Sequence, residues 1–577
     1  MATEVAPPRT TRTPGPAAVP VRRRELVVVS LVTAGFALVL LLWAVLVPAF
    51  QAPDERAHFD AALHVAIGDG WPEPGDLHVL AAIEHLAPTD QTSLGDLLRQ
   101  TDSADGDTVD QMTQHPPTYY FLAAGVLHLV HFQDLTVAAA VTVLRLVGAL
   151  AALPLPFLAW ATVRRVTGSP RAAVVGAFAV LAVPELASIA ASVSNDGPVM
   201  LFAATTVWLA ARLLTGDRRT RTAVALGVSL GLALLWKGTA LPLIPFVGLA
   251  VVVGTTGRPL PARLVRGVWV LAVAAALGAW WWVRNLLVHH QLQPDGFAAL
   301  RPPQPFPTDT GPDPVSFVGV SWSTIARTFW GSFGGRAQWV VSPLFFETAT
   351  VLGLGAVLVW GFRRGRGLGT ALTLAVLPVT ILLLQSWTTW SSYLHTTFVG
   401  GTQGRYYFPA MLAFIALSAL AWRRALRTEA GHRRAVVVVP VIAVVVAVAG
   451  PLYLYASVAE HMRIRVTARG LDELATTSPV PVGVSIVLWC VSVVLLVAAV
   501  VVLAGAVRSA GWASPVAVAG SGPGGATPAP GTGPVTGGVA ISDTDTDADT
   551  DTGAVAATEA VAHGGSPVSH PDEEAGR

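Results

Sequence analysis

Long apolar runs alternate with short arginine-rich segments over most of the chain. The first run, about residues 26–49, is long enough to cross a bilayer as a helix. Similar runs follow to about residue 505, and together they predict an all-α polytopic membrane protein with about twelve transmembrane helices. The expected bounds are near 26–49, 136–163, 171–192, 198–214, 222–236, 239–255, 267–288, 345–361, 368–386, 406–422, 435–456 and 482–505.

One short apolar segment, residues 117–132, leaves the number of spans open. If it crossed the membrane, Arg164 and Arg165 would lie outside the cell and every later arginine cluster would be inverted. A helix lying along the outer surface keeps all the clusters inside. Twelve spans are therefore preferred, and thirteen are the alternative.

The arginine clusters also orient the helices. Arg22, Arg23 and Arg24 precede the first run and place the N-terminus in the cytoplasm, because cytoplasmic loops carry the excess of positive charge. With twelve spans the C-terminus is cytoplasmic as well. The two long loops, about 50–116 and 289–344, are then extracytoplasmic, so loop-borne function is expected on that face of the plasma membrane.

Composition agrees with a single membrane domain. Apolar residues make up 53% of the chain and charged residues 13%, about half the charged share of soluble domains. We expect a cytoplasmic segment at 1–25, the transmembrane domain at 26–508 and a disordered acidic cytoplasmic tail at 509–577, where apolar surface is scarce. The only cysteine, Cys490, excludes a disulfide within the chain and a thiolate metal site.

Three cations lie at the expected outer ends of spans. They are Lys237, the only lysine of the chain, Arg284, which precedes Asn285, and Arg405. For each of the three cations taken alone, the alternative interpretation is a side chain that extends to the phosphates of the lipid headgroups. Together they predict a pocket for an anionic headgroup, since arginine suits phosphate contact. Arg145 lies within a span, where it is expected to face the bundle interior as a structural or substrate contact.

Carboxylates lie at the same level of the membrane. Asp54 and Glu55 follow the first span, and Asp54 shares a helix face with His58 four residues later. The functional interpretation is a general base at the lipid–water boundary, and the alternative is a helix cap with an intrahelical pair. Asp196 follows Asn195 at the end of the third span, in a sequence that is also typical of a turn.

Phosphate-cradling loops, dinucleotide fingerprints and kinase motifs are absent from the sequence. A mechanism driven by nucleotides in the cytoplasm is therefore not expected, and neither is a nucleic-acid partner.

Five short motifs carry a resemblance to a known group of enzymes. They are Pro53-Asp54-Glu55-x-x-His58-Phe59, His115-Pro116-Pro117-x-Tyr119-Tyr120, Arg284-Asn285, Phe329-Trp330-Gly331-x-Phe333-Gly334 and Gln403-Gly404-Arg405-Tyr406. In this order they resemble the GT-C superfamily of membrane glycosyltransferases. Within that superfamily they resemble the DUF2142 family of predicted membrane proteins, over about residues 26–430.

The resemblance implies a GT-C-like bundle and a sugar donor linked to polyprenyl phosphate. Asp54 or Glu55 occupies the position of the catalytic base, and the choice between them stays open. The residues expected to hold the donor phosphate are Lys237, Arg284 and Arg405. Those expected to assist the acceptor or a metal are Asp196, Asn195 and His58. Those expected to line the site are His115, Tyr119, Tyr120, Asn285, Gln403, Tyr406 and Arg145.

The resemblance leaves the cofactor open: none is assigned with certainty, and the candidate is a divalent cation, Mg²⁺ or Mn²⁺, with Asp196 as its expected ligand. The acceptor is expected to be a cell-envelope glycan, lipid or protein, and the transfer to be inverting.

Two other functional classes compete with a glycosyltransferase. A transporter or a flippase of lipid-linked sugars would also have many spans, and a non-catalytic scaffold could keep the same motifs. Transporters tend to show repeated halves and binding sites at the membrane midplane. The sequence has no clear repeat and its polar residues gather at one face, which favours the transferase.

Overall fold

The computed structural model of the protein describes residues 20–508, apart from residues 88, 298–299, 309, 332–341 and 366. The predicted disordered tail at 509–577, most of the N-terminal segment, and Phe333 and Gly334 of the fourth motif lie outside the described residues.

Helices make up most of the described chain. Those of the first half are α1 (Arg23–Leu46), α2 (Glu55–Ile67), α3 (Ala81–Glu84), α4 (Leu94–Gln100), α5 (Thr118–Leu129), α6 (Val137–Ala152), α7 (Leu155–Thr167), α8 (Pro170–Ala179), α9 (Pro184–Ala190) and α10 (Asp196–Leu214). Those of the second half are α11 (Thr220–Leu234), α12 (Leu243–Gly254), α13 (Leu260–Gly278), α14 (Trp280–His289), α15 (Pro314–Trp330), α16 (Pro343–Ala356), α17 (Leu368–Thr396), α18 (Met411–Ala425), α19 (Glu429–Ala459), α20 (Ala468–Thr477) and α21 (Val482–Arg508). Two short strands, β1 (His78–Leu80) and β2 (Asp105–Val109), form an antiparallel sheet in the first long loop.

The fold is an all-α membrane bundle, as the sequence predicts. By length and composition, nine helices of the described residues can cross a membrane, and the bent pair Pro170–Ala182 and Pro184–Ala190 brings the number to ten. Two further predicted spans, Thr220–Leu234 and Gly238–Gly254, are apolar helices too short to pass this test. Each of the twelve predicted segments is thus largely helical, but the count of twelve is not reached by this criterion.

Three predicted spans are broken, and proline or glycine explains the breaks. The chain bends by 68° at Val183, directly before Pro184, which supplies no backbone N–H for a continuous helix. α6 and α7 meet at Leu153 and Pro154. The span expected at 267–288 ends as α13 at Gly278, where a Cβ atom would overlap backbone of α11, and the chain continues as the separate helix α14.

The first long loop is a folded layer rather than irregular chain. α2 packs against α5, and the buried side chains of Phe59, Leu63, Leu80 and Tyr120 belong to one apolar cluster. The main core lies in the bundle around α1, α7, α8 and α10. The layer therefore has a hydrophobic core of its own, which fixes the position of α2 at the end of the first span.

Candidate active site

A buried ion pair joins the first span to the folded layer. Arg145 of α6 donates to both carboxylate oxygens of Glu55, from Nε at 2.8 Å and from a terminal nitrogen at 2.6 Å. Glu55 also accepts from the backbone N–H of Phe50 and of Val193, each at 3.0 Å. Arg145 further donates to the carbonyl oxygens of Ala44, Val47 and Pro48 at the end of α1. Both side chains are at most 1% exposed, so every oxygen of Glu55 is occupied by structural contacts.

The preceding residue, Asp54, has a different environment. It is the N-cap of α2 and adopts a left-handed backbone conformation with φ of 58°, which few residues other than glycine adopt. Its carboxylate accepts a hydrogen bond from Arg405, yet 39% of the side chain remains exposed, whereas Arg405 is only 4% exposed. Of the two carboxylates at this position, Asp54 is the one that a bound molecule can reach.

Arg405 also sets the protonation state of Asp54. Burial alone would raise the pKa of this carboxyl, but the charge and hydrogen bond of Arg405, together with the charge of Lys237, outweigh burial and hold the pKa below its usual value. Asp54 is therefore ionised at neutral pH.

A third ion pair forms between two other predicted site residues. Lys237 lies between α11 and α12, and its Nζ is 2.9 Å from a carboxylate oxygen of Asp196 at the start of α10. The side chains are 7% and 9% exposed. Asn195 donates to the carbonyl oxygen of Trp236 at 3.1 Å, which holds the turn that carries Asp196 beside Lys237. Glycine at 197 allows this turn to lie against Gly148 of α6, since a Cβ atom there would come within 2.7 Å of the Gly148 Cα.

The Asp54–Arg405 and Asp196–Lys237 ion pairs belong to one cluster with two neutral histidines, since all four charges act on the His58 ring. His58 Nδ1 lies 3.0 Å from the Tyr120 hydroxyl, and its ring is stacked on that of His115 at a centroid distance of 6.1 Å. Burial, followed by the nearby charge of Lys237, lowers the pKa of His58 to about 3 and that of His115 well below its usual value. Both rings are therefore uncharged at neutral pH, and Tyr119 packs edge-on against His58.

The segment that carries Arg405 is fixed by a close approach to α15. Gly404 donates its N–H to the Thr328 hydroxyl at 2.6 Å, and a Cβ atom at 404 would overlap backbone atoms of α15. The Gln403 carbonyl accepts from Gln385 at 3.2 Å, and the Tyr406 ring lies 5.7 Å from the Arg405 guanidinium carbon. The backbone contacts of Gln403 and Gly404 in the fifth motif therefore fix the position of Arg405.

Arg284 and Asn285 make different contacts from the other predicted site residues. Arg284 pairs with Glu73 of the folded layer, and its guanidinium carbon lies 5.3 Å from the Trp281 ring centroid. Glu73 also pairs with His289 at 3.1 Å. Asn285 is fully buried and donates to the carbonyl oxygen of Leu292 at 3.2 Å. This group links α14 to the layer. Glu73 was not predicted, because nothing in the neighbouring sequence distinguishes it from the other acidic residues of the loop.

The described residues do not form a metal centre. No three His, Cys, Asp or Glu side chains within them are placed so that they could hold a metal ion, and Asp196 is already paired with Lys237. A divalent cation therefore stays a prediction from the resemblance.

Fold and geometry define a class: a polytopic helical membrane protein with two ion pairs clustered where the first span meets a folded loop. Residues 114–282 match the model of a family described as dolichyl-phosphate-mannose-protein mannosyltransferase. This is a GT-C family, in agreement with the superfamily expected from the motifs, whereas the closer resemblance to DUF2142 remains a prediction. The match includes Asp196 and Lys237 and leaves out Asp54 and Arg405.

Several solved structures are similar to the chain at low identity. ArnT from Cupriavidus metallidurans bound to undecaprenyl phosphate shares 16% identity with a TM-score of 0.40, over 81% of this chain and 77% of that one. The Archaeoglobus fulgidus oligosaccharyltransferase complex with Zn and sulfate shares 14% identity with a TM-score of 0.40, over 78% and 57% of the two chains. The S. cerevisiae protein O-mannosyltransferase Pmt1-Pmt2 complex bound to the sugar donor shares 18% identity with a TM-score of 0.34, over 49% and 36%. No curated protein sequence matches the chain.

Proposed function

We propose that the protein is a membrane glycosyltransferase of the GT-C type. It moves a sugar from a polyprenyl-phosphate donor to an acceptor of the cell envelope, on the extracytoplasmic face. The observation that supports this most strongly is the partly exposed carboxylate of Asp54 beside the buried cations Arg405 and Lys237. The match to a family named for a lipid-phosphate sugar donor supports the same chemistry.

The donor phosphate is the natural partner of Arg405 and Lys237. Both cations are almost completely buried and each is neutralised by one aspartate, so the cluster of four charges has no net charge. A phosphate that enters would compete with Asp54 and Asp196 for these cations, and arginine can hold it with two hydrogen bonds. Binding of the donor would therefore release Asp54 from Arg405 at the moment when a base is needed.

Asp54 is the proposed base. It takes the proton from an acceptor hydroxyl while the hydroxyl oxygen forms a bond to the anomeric carbon of the sugar. The bond between that carbon and the phosphate oxygen breaks on the opposite face, so the configuration inverts. Lipid phosphate leaves with the extra negative charge, which Arg405 and Lys237 stabilise, and no acid needs to protonate it.

Two predicted roles change in this proposal. Glu55 is assigned to structure rather than to proton transfer, because its oxygens are occupied by Arg145, Phe50 and Val193. Arg284 is not assigned to the donor phosphate, because its partners are Glu73 and Asn285 rather than members of the cluster of four charges.

The test is turnover of synthetic polyprenyl-phosphate sugars by the purified protein in proteoliposomes, with and without a cell-envelope extract. We expect release of polyprenyl phosphate and glycosylation of a component of the extract. Fluorescent donor in the same vesicles reports movement across the bilayer. Movement of intact donor without release of lipid phosphate would show a flippase and reject the transferase, and neither turnover nor movement would favour a scaffold.

A further inference from the structure

A stripe of hydroxyl side chains follows the last turns of α17. Thr388, Ser392 and Thr396 are spaced four residues apart, so they share one face of the helix. The Thr388 and Thr396 hydroxyls donate to carbonyl oxygens one turn earlier. Thr396 also accepts from the backbone N–H of Phe398 at 3.4 Å, and each hydroxyl keeps at least one lone pair that can accept a further hydrogen bond. No hydrogen bond of the Ser392 hydroxyl is found within the described part of the chain.

These hydroxyls line a cavity of about 600 Å³ between α17 and the folded layer. The amides of Gln111 and Gln114 form the opposite wall, and Asp295 and Arg301 contribute from the second long loop. The Phe398 ring, 72% exposed, forms an apolar platform at the turn that follows α17. That ring covers Gly400, where a Cβ atom would come within 3.0 Å of it.

The cavity adjoins the charged cluster on two sides. Gln114 directly precedes the buried His115 and accepts a hydrogen bond from Gln293 at 3.0 Å. Across the cavity, Thr389 of the lining accepts from the Thr402 hydroxyl at 3.0 Å, three residues before Arg405. The walls of the cavity are therefore continuous with the segments that hold the proposed donor site.

The chemistry of the lining selects the kind of molecule that fits. One aspartate and one arginine give it no net charge, so it does not favour an anion or a cation. Lipid tails would require a continuous apolar surface, and hydroxyl and amide groups interrupt the apolar part of this lining. Hydroxyl acceptors, amide donors and one exposed aromatic ring instead suit a sugar, whose hydroxyls both donate and accept and whose C–H face packs on an aromatic ring.

We propose that this cavity binds a neutral oligosaccharide, and that the acceptor of the reaction is therefore a glycan. Its use as an acceptor site rests on the glycosyltransferase function proposed above. Binding of the oligosaccharide does not depend on it.

The experiment measures binding and turnover separately. Purified protein in nanodiscs is mixed with neutral trisaccharides of different linkage, or with a neutral peptide rich in Ser and Thr, and binding is followed by saturation-transfer NMR. The variants are Ser392→Val, Thr396→Val and Phe398→Ala. Thr380→Val is the matched control, because the Thr380 hydroxyl bonds one turn back in α17 as that of Thr396 does, but it lies outside the cavity.

We expect a trisaccharide to bind at millimolar concentration and each cavity variant to weaken binding about tenfold, the equivalent of one good hydrogen bond. Thr380→Val should bind the trisaccharide and turn over the donor as the unaltered protein does. Binding of the peptide in place of every trisaccharide, or no saccharide binding at all, would overturn the inference. Saccharide binding without any donor turnover would keep the cavity assignment and reject only the transferase.

Discussion

Asp54 and Glu55 are neighbours in sequence, but their surroundings give them different roles. The Glu55 side chain is fully buried and its carboxylate accepts four hydrogen bonds, whereas the Asp54 side chain is exposed enough to contact a substrate. The sequence predicted that a carboxylate of this pair matters and could not choose between them. The partners that decide, Arg145 and Arg405, are 90 and 351 residues away, and no local pattern encodes such contacts.

Substitution of Glu55 should affect stability. Glu55→Gln leaves the guanidinium of Arg145 without its charge partner, and loss of one member of a buried ion pair costs about 3–5 kcal/mol. We expect a lower unfolding temperature of the solubilised protein, followed by tryptophan fluorescence. A Glu55→Gln protein that unfolds as the unaltered protein does, yet transfers no sugar, would make Glu55 the base.

The pH dependence of transfer should report the contact between Asp54 and Arg405. Arg405 holds the pKa of Asp54 below its usual value, so Asp54 stays ionised at neutral pH and activity should fall only in acid below the ordinary pKa of an aspartate. In Arg405→Gln the effect of burial is less opposed, so the pKa rises and the acid limb of kcat/KM should move to higher pH. Arg433→Gln, an exposed arginine of α19, should leave the limb unchanged. An acid limb at the same pH in Arg405→Gln and the unaltered protein would argue against Asp54 as the titrating base.

At the scale of elements, apolar runs predicted the helices well and the loops poorly. α15 lies in the second long loop, where no helix was predicted. A start signal was present, since Asp313 caps the helix and Pro314 is its first residue. The polar stripe of α17 was missed because the predicted span ended at residue 386, ten residues before the helix does.

Packing between elements should make Gly404 intolerant of substitution. A Cβ atom there would overlap backbone atoms of α15, and overpacking of this kind costs about 1–3 kcal/mol. Because Gly404 precedes Arg405, Gly404→Ala should lower both the unfolding temperature and the rate of donor turnover. Gly353→Ala in α16, where no atom lies within 4 Å of the new Cβ, is the control and should be neutral or slightly stabilising. Equal behaviour of the two variants would contradict the packing that places Arg405.

For the whole molecule, charge distribution predicts which face of the membrane carries the active site. His85 is 91% exposed in the folded layer, and Thr256 lies in the arginine-rich connection between α12 and α13. With Cys490→Ser as background, a cysteine at 85 should react with an impermeant maleimide on intact cells, and one at 256 should react only after permeabilisation. The reverse pattern would invert the topology and move the proposed reaction to the cytoplasm.

The most direct test of the central claim compares Asp54→Asn with Glu55→Gln in the transfer reaction. Asparagine tolerates the left-handed backbone at 54 and keeps an oxygen for Arg405, so the fold should persist. Removal of a general base slows the reaction by about 10²–10⁴-fold. We predict a loss of this size in kcat for Asp54→Asn, with donor binding retained. For Glu55→Gln we predict a smaller loss, in proportion to the fraction of unfolded protein. Full turnover by Asp54→Asn would contradict the assignment of Asp54 as the base.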